Sequence, residues 1–389
     1  MEKFLLYYRL LFCVAGMLMA PVLSAQSVED NPADTSIVRK NILQRFLDYF
    51  NESNKPKSHK KFDVSFIGGP HYSSDTQLGV GLVAAGNYYM RGDTTSLPSN
   101  VSLYGDVSTV GFYLLGIKGN NIFPDDKQRL EYNVYFYSFP TKFWGIGYEN
   151  GKHDSNETKF KQFYVKGSLD WYFRAAKGLY LGPGADFCFI KGSDIDADYV
   201  YLWQGQRLHT TTVSAGFTIK YDTRDSYTEP HKGWLLSLSQ RFSPKFLGNR
   251  YAFSTTHFKG SHYNKLWKGG ILATGINAKF SYGDVPWGMM ATFGGSSTMR
   301  GYYDGRYRDK IAMDAVVELR QHVWRRNGIA VWGGVGTVVP SIAKMSWRKV
   351  LPCFGAGYRW EFKKRSNVRL DFGIGRGETS FIFNINEAF

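Results

Sequence analysis

The sequence FGGSSTMRGY, residues 293–302, lies about two-thirds of the way along a chain of 389 residues. It forms a glycine-opened loop that ends in Arg300-Gly301-Tyr302, and the segments around it read as short alternating strands. Burying an unpaired guanidinium is costly. An arginine on such a loop inside a barrel therefore needs a carboxylate partner. We expect the loop to dock within the barrel and not to stay solvated as a surface turn.

Alternation of apolar and polar residues indicates β-strands. In residues 368–374 the even positions are apolar and the odd positions are polar or glycine, and in residues 213–222 the phase is reversed. Phe381, Phe383 and Ile385 continue this pattern towards the end of the chain. Such alternation, with 17% aromatic residues and 42 glycines, is typical of an outer-membrane barrel, whose strands face lipid on one side and a polar lumen on the other.

Composition and charge limit the class of protein. Beyond the first residues no apolar run of roughly 18 residues remains, which excludes helical membrane spans. Residues 1–25 are predicted to be a cleaved signal peptide, because Lys3 and Arg9 precede a short apolar core and a small-residue site ends at Ala25. The net charge of +15 is not clustered as in nucleic-acid binding proteins. It indicates attraction to anionic outer-membrane lipids, and we expect no nucleic-acid partner.

Connection lengths predict the topology. Short connections near 109–111, 139–141 and 175–178 and longer ones near 91–99 and 192–208 fit short periplasmic turns and long outer loops. Starting the first strand near Gln77 gives a sixteen-stranded antiparallel transmembrane barrel, an all-β fold. The predicted domains are a signal peptide (1–25), a periplasmic lead-in with a short amphipathic helix (26–74) and the barrel (75–389). The helix is predicted from Ile37, Ile42, Leu43, Phe46, Leu47 and Phe50.

Three stretches together resemble the BamA superfamily of outer-membrane insertases and translocases, also called the bacterial surface antigen family. The first is a turn motif at 221–225, in which carboxylates flank an arginine and can fix the turn by charge-assisted hydrogen bonds. The second is Met299–Tyr302, similar to the family's Val-Arg-Gly-Phe/Tyr motif on the sixth outer loop. The third runs from Arg369 to Phe389. The candidate residues of the turn motif are Tyr221, Asp222, Arg224 and Asp225.

The resemblance implies that the loop folds into the lumen and that Arg300 pairs with acidic residues on the following strands. Alternation turns Asp314 and Glu318 towards the lumen, and Glu318 is the better match for the family's glutamate. The next strand departs from the family pattern, because Gly334 stands where an aspartate is common. Part of this latch is therefore missing, or is supplied by Asp314 or Asp371. The predicted latch comprises Arg300, Gly301, Tyr302, Glu318, Asp314 and Asp371.

The resemblance also raises the question of a seam between the first strand (about 76–90) and the last (378–388). Gly79 and Gly81 weaken packing and permit bending, which favours a weak seam, although close approach of the inward-folded loop explains them equally well. Aromatic residues at Phe381, Phe383 and Phe389 predict an assembly signal that is recognised by edge pairing. The segment before the barrel is too short for the family's periplasmic POTRA domains, so the chain resembles reduced members of the superfamily.

No pattern of residues indicates an enzyme. The eight histidines lack the spacing of metal ligands, and no Gly-x-Ser-x-Gly elbow is present, so we expect no catalytic residue, metal or cofactor. The leading hypothesis is an outer-membrane insertase or translocase whose weak seam pairs with the unpaired backbone groups of client proteins. The alternatives are a passive porin-like or structural barrel and an accessory subunit of an outer-membrane complex. Opening of the seam discriminates between the first two.

Overall fold

A computed structural model describes residues 62–73, 76–90, 99–363 and 366–389. The predicted signal peptide and the predicted helix of the lead-in lie outside these residues. Sixteen antiparallel strands form a closed barrel and two more form a separate hairpin, which confirms the predicted all-β fold. The barrel strands are β1 (Phe62–Ser73), β2 (Gln77–Tyr88), β3 (Ser99–Ser108), β4 (Tyr113–Ile122), β5 (Gln128–Phe143), β6 (Thr158–Ala176), β7 (Leu179–Ser193), β8 (His209–Asp222), β9 (Gly233–Ser243), β10 (Phe253–Trp267), β11 (Gly270–Gly283), β14 (Ile311–Trp324), β15 (Asn327–Val339), β16 (Leu351–Lys363), β17 (Ser366–Ile374) and β18 (Thr379–Ile385), and the hairpin strands are β12 (Ala291–Phe293) and β13 (Tyr307–Asp309).

The barrel wall has an apolar outer face and a polar inner face. On β17 the side chain of Phe372 is 50% exposed on the outside, whereas its neighbour Asp371 is fully buried inside. On β8, Phe217 faces outwards and Thr218 is buried. Both strands therefore have the phase that the sequence predicts, and the outer face offers lipid a continuous apolar surface. Among the helices of the described residues, none is long and apolar enough to cross a membrane.

The two ends of the barrel differ. At one end, which we call the loop end, long connections run through residues 144–157, 194–208, 284–310 and 340–350. At the other, the turn end, two residues suffice at 177–178, 268–269 and 325–326. A short helix, α1 (Tyr148–Lys152), lies in the first long connection, and the β12–β13 hairpin lies in the third. The loop end therefore carries the long connections that can fold over or into the lumen.

An aromatic cap covers part of the loop end. It consists of Phe143, Phe160, Trp203 and Trp287, all at most 2% exposed. The ring centroids of Phe143 and Trp203 lie 4.2 Å apart, and those of Trp203 and Trp287 lie 6.1 Å apart. The Trp203–Trp287 contact is edge-to-face, a packing that stabilises aromatic clusters beyond simple area burial. The cap ties the connections after β7 and β11 to the loop-end residues of β5 and β6.

Two strand predictions are wrong, and their errors cancel in the strand count. Residues 62–73, predicted as an extended lead-in, form the first barrel strand and pair with β2 along its length. The predicted turn at 139–141 lies inside β5. β4 pairs with β5 only as far as Ser138, so Pro140 has a partner strand on one side alone, where its missing N–H is tolerated. As a result, the connection at 109–112 lies at the loop end and not at the predicted periplasmic end. For the same reason the connection between β2 and β3 lies at the turn end, so the prediction of a long outer loop near 91–99 is also wrong.

Candidate functional site

The third long connection folds into the lumen. Within it Met299, Arg300 and Tyr302 are at most 1% exposed. Phe293 and Met299 belong to a buried apolar cluster with Val316 of β14 and Trp332 of β15. Because these partners project from the inner face of the wall, the loop is packed against it. The structure therefore has the inward-folded loop that the sequence predicts.

Arg300 is the polar anchor of this loop. Its Nη1 donates a hydrogen bond to Asp371 Oδ2 at 2.8 Å, and its Nη2 donates to Glu318 Oε2. Its guanidinium lies 3.7 Å from the ring centroid of Trp332. Two carboxylates and an aromatic face thus compensate the burial of the charge. The contacts connect the loop to β14, β15 and β17.

Gly301 and Tyr302 bring the loop backbone against β17. Gly301 has a φ of +148°, and a Cβ atom at this position would lie 2.8 Å from the carbonyl carbon of Ile374. The hydroxyl of Tyr302 donates to the carbonyl of Pro352 at 2.6 Å and accepts from the backbone N–H of Arg376 at 2.8 Å. Only glycine fits the close approach at 301 without displacing one of the two chains. The Arg-Gly-Tyr sequence therefore supplies an ionic anchor, a close backbone contact and a hydrogen-bonding ring.

Of the predicted latch residues, the structure brings together Arg300, Gly301, Tyr302, Glu318 and Asp371. Asp314 lies apart from Arg300, and its Oδ2 accepts a hydrogen bond from Asn277 at 3.0 Å. Asp371 thus occupies the place of the second acid, which Gly334 cannot supply. We call Arg300, Glu318 and Asp371 the latch. Its role in function remains a prediction.

Three further arginines and one glutamate extend the latch into a larger cluster. Arg320 Nε lies 2.6 Å from Glu318 Oε1, and Arg359 Nη1 and Arg369 Nη1 each lie 2.6 Å from Asp371. Arg359 Nε also donates to Glu387 Oε2 at 3.0 Å. Sequence reasoning missed these four residues. The signal available was that Arg320, Arg359 and Arg369 occupy inward positions on three strands, where an unpaired guanidinium is costly.

The seam of the barrel lies between β1 and β18. Among the described residues these two strands are in register only at Ser73 and Ile382. In contrast, β17 and β18 form seven residue pairs, and β2 and β3 form ten. Pro70 of β1 has no N–H, which removes a donor near the seam. The first and last strands are therefore joined by far fewer backbone contacts than their neighbours.

The prediction that Gly79 and Gly81 lie on the seam strand is wrong. Both lie on β2, which has a full ladder with β1 and β3. A Cβ at Gly79 would lie 2.6 Å from the ring of His71, and one at Gly81 would lie 3.2 Å from Asp106 Oδ2. His71 Nε2 and Asp106 Oδ1 are themselves 2.8 Å apart. The two glycines therefore make room for this pair inside the lumen.

The last strand also differs from its prediction at one end. Phe381 and Phe383 lie on β18 on either side of the inward-facing Ile382, which is 5% exposed. The ring of Phe381 lies 6.1 Å from that of Tyr72, across the seam. The strand ends at Ile385, so Phe389 does not continue its alternation. A backbone turn at Asn386, with a φ of 66°, ends the pattern.

The turn motif forms a compact connection between β8 and β9. Arg224 Nε and Nη2 donate to both oxygens of Asp222 at 3.0 and 2.9 Å. Asp225 Oδ1 accepts from the backbone N–H groups of His231 and Lys232 at 2.9 and 3.2 Å. Tyr221 stands in the ladder opposite Leu179 and Leu236. The two carboxylates thus fix the connection from within, and Tyr221 takes no part in those bonds.

A neighbouring carboxylate connects this turn to the far wall. Glu229 Oε1 accepts a hydrogen bond from Asn367 of β17 at 3.0 Å, and His231 Nε2 lies 3.6 Å from Glu229 Oε2. Burial opposes ionisation of Glu229. The hydrogen bonds from His231 and Asn367 outweigh that effect and hold the pKa of Glu229 below its usual value. The turn therefore docks on β17 through an ionised side chain.

The side chains that could ligate a metal ion are scattered in the described residues. Within the part of the chain that the structure describes, no group of three or more His, Cys, Asp or Glu side chains could hold a metal ion. The two cysteines of that part, Cys188 and Cys353, are buried thiols on different strands.

The sixteen strands, the inward loop and its buried arginine define an outer-membrane β-barrel with a loop folded into its lumen. The chain belongs to the Omp85 superfamily: the family model described as Omp85 superfamily domain matches residues 114–339. No curated protein sequence matches the chain.

Solved structures share the fold at low sequence identity. BamA from Haemophilus ducreyi lacking POTRA domains 1–3 is 13% identical, with a TM-score of 0.57 over 85% of this chain and 71% of that one. CdiB from Acinetobacter baumannii is 11% identical, with a TM-score of 0.54 over 86% of this chain and 61% of that one. CdiB from Escherichia coli is 11% identical, with a TM-score of 0.57 over 85% and 64%. This chain therefore spans less than two-thirds of the two CdiB chains.

Proposed function

We propose that this outer-membrane barrel assists the insertion or translocation of polypeptides by opening between β1 and β18. The observation that carries the proposal is that β1 and β18 share one residue pair, Ser73 and Ile382, among the residues that the structure describes. A net contribution of about 0.5–1.5 kcal/mol per backbone hydrogen bond makes so short a ladder much easier to separate than its neighbours. The seam is therefore the place where the wall opens.

An opened seam can pair with a strand of a client chain. Separated strands offer N–H and C=O groups that lipid cannot satisfy, and a nascent client strand in the membrane has the same deficit. Pairing of the two edges satisfies both, which lowers the barrier to insertion. The partners are then outer-membrane lipids and client polypeptides, and the process needs no covalent chemistry, metal or cofactor.

A passive porin is the competing function. It requires a permanently closed wall around an open channel. The aromatic cap packs at the loop end, and the loop that carries Arg300 occupies the lumen. These two features oppose free diffusion and favour the handling of polypeptides at the seam.

A disulfide across the seam tests the proposal. The variant carries Ser73→Cys and Ile382→Cys in a background of Cys188→Ser and Cys353→Ser, so that only the seam can be locked. We expect oxidised cells that depend on it to lose assembled outer-membrane proteins, measured by heat-modifiable mobility, and to recover them on reduction. The control places cysteines at Ala85 and Ser102, a pair within the full β2–β3 ladder. Equal assembly in the locked and reduced seam variants would replace the proposal with the passive barrel.

A further inference from the structure

Residues 386–389, which we call the tail, leave the barrel wall and enter the lumen. β18 ends at Ile385, and Asn386 turns the chain with a φ of 66°. The backbone N–H of Asn386 donates to the carbonyl of Asn367 at 2.6 Å. The backbone N–H of Glu387 lies 3.4 Å from the carbonyl of Thr228, in the connection between β8 and β9. The tail therefore starts as a short, hydrogen-bonded extension of β18 on the inside of the wall.

Glu387 enters a pocket built for a carboxylate. Its Oε2 accepts from Arg359 Nε at 3.0 Å and lies 3.4 Å from Arg320 Nε. Its Oε1 accepts from the side-chain amide of Asn367 at 2.8 Å. The side chain of Glu387 is only 2% exposed. Two guanidinium groups and an amide, projecting from three different strands, thus converge on one acidic side chain.

Phe389 fills an apolar slot beside this pocket. Its ring lies 5.5 Å from the guanidinium of Arg320 and packs against the buried apolar cluster of the latch loop. A Cβ at Gly275 would lie 3.1 Å from the ring, so the absence of a side chain there shapes the slot. Arg320 Nη2 also donates to the carbonyl of Phe389 at 3.2 Å. The slot therefore recognises an aromatic ring and the backbone next to it.

The charges of the cluster explain why the pocket needs an anion. Four guanidinium groups (Arg300, Arg320, Arg359, Arg369) face three carboxylates, of which Glu387 is one. Withdrawing the tail would leave these four cations, each at most 5% exposed while the tail is in place, with two carboxylates. Removing one partner from a buried charge pair is strongly unfavourable. A replacement carboxylate is therefore favoured whenever the tail leaves.

We propose that the pocket formed by Arg320, Arg359 and Asn367, together with the slot at Gly275, is a peptide-binding site that the tail occupies as an internal ligand. Its external ligand is a polypeptide segment with a carboxylate side chain two residues before an aromatic ring. The tail continues β18, whose backbone register with β1 is one residue pair among the described residues, so binding of such a segment displaces the tail when β18 moves. That the segment belongs to a client rests on the proposed function. The site itself rests on the contacts of the tail.

The test uses a labelled peptide and the purified barrel. The probe is a fluorescent peptide of sequence Asn-Glu-Ala-Phe, and the binding partner is a variant that ends at Ile385. We expect saturable binding, measured by fluorescence anisotropy. Gln in place of Glu removes a charge-assisted contact, and Ala in place of Phe removes the ring. Each change should therefore lower the affinity by about tenfold or more. The unaltered barrel should bind the peptide more weakly, because its own tail competes.

A second variant keeps the chain at full length, so that the test does not depend on folding of the truncated barrel. Glu387→Gln weakens the internal ligand alone, and we expect the peptide to bind this variant more tightly than the unaltered barrel. Equal binding to the two full-length proteins would overturn the proposal, as would equal affinity of the truncated, heat-modifiable barrel for the Glu and Gln peptides. Because binding to the barrel that ends at Ile385 involves neither clients nor an open seam, the outcome of that measurement is separate from that of the seam disulfide.

Discussion

Arg300 of the inward loop and Asp371 of β17 are joined by a hydrogen bond of 2.8 Å, and Asp371 also accepts from Arg359 and Arg369. One carboxylate therefore connects the loop to two adjacent strands of the wall. β17 is the last strand before the seam strand β18, which among the described residues forms seven residue pairs with β17 and one with β1. The latch thus fastens the inward loop to β14 and β17 and includes no residue of β18.

The first prediction concerns the coupling between Arg300 and Glu318. Replacing either by Ala leaves the other as a buried charge with fewer partners, so the two effects should not add. We expect a coupling free energy of about 1–3 kcal/mol in a double-mutant cycle of urea unfolding. Lys142 and Glu157, a half-exposed pair 2.5 Å apart near the loop end, are the control, for which coupling should stay below about 1 kcal/mol. Additive effects of Arg300→Ala and Glu318→Ala would argue against the latch.

The second prediction separates close packing from backbone strain at Gly301. Gly301→Ala places a methyl group against the backbone of Ile374 and should release the loop from β17, which limited proteolysis would detect as faster cleavage within residues 294–306. Gly377→Ala is the matched control, because Gly377 also has a positive φ, of 74°, but has open space around its Cβ position. Faster cleavage in both variants would mean that strain, and not the contact with β17, governs the loop.

The third prediction is a pH dependence at Glu229. Since its pKa in the folded barrel lies below its usual value, its ionised form stabilises the fold. This stabilisation is complete above the unfolded-chain pKa of about 4.3 and is lost as the pH falls through the folded value. We expect Glu229→Gln to lower the urea midpoint at pH 7 and to have a smaller effect at about pH 3. A difference that does not change with pH would contradict the assignment.

The fourth prediction concerns the aromatic cap. Trp287 is fully buried against Trp203 and Phe143, so Trp287→Ala should open a cavity and loosen the loop end, at a cost of about 3–5 kcal/mol. We expect larger and more frequent ion-conducting events in planar bilayers than for the unaltered barrel. Trp347→Ala is the control, because Trp347 is 92% exposed. A high, steady conductance of the unaltered barrel, unchanged by Trp287→Ala, would favour the passive porin.

Local alternation of apolar and polar residues predicted much of the fold. Alternation correctly placed Asp371 inside and Phe372 outside, because facing along a strand depends only on neighbouring residues. It failed where composition imitates a turn: Gly68-Gly69-Pro70 concealed β1, and Pro140 suggested a break in a long strand. The run Phe381, Phe383 and Ile385 suggested a strand up to Phe389, yet the chain turns inwards at Asn386 because its partners lie on other strands.

The site was predictable only in part, for a similar reason. Arg300 and Glu318 follow from motif and phase, but a choice between Asp314 and Asp371 requires knowing which strands meet the loop. Arg359 of β16 and Glu387 come together only because the chain turns inwards at Asn386, after β18, and passes in front of the neighbouring strands. Such contacts depend on three-dimensional register, which one sequence does not contain.

The most direct measurement of the central claim is the distance across the seam in a lipid bilayer. Nitroxide labels at Tyr72→Cys and Phe381→Cys, in the background without Cys188 and Cys353, report on β1 and β18 by dipolar electron paramagnetic resonance. Labels at Val80→Cys and Val107→Cys report on the paired strands β2 and β3. After addition of an unfolded outer-membrane protein, we expect a second, longer distance for the seam pair and one short distance for the control. A single short distance for both pairs would contradict it.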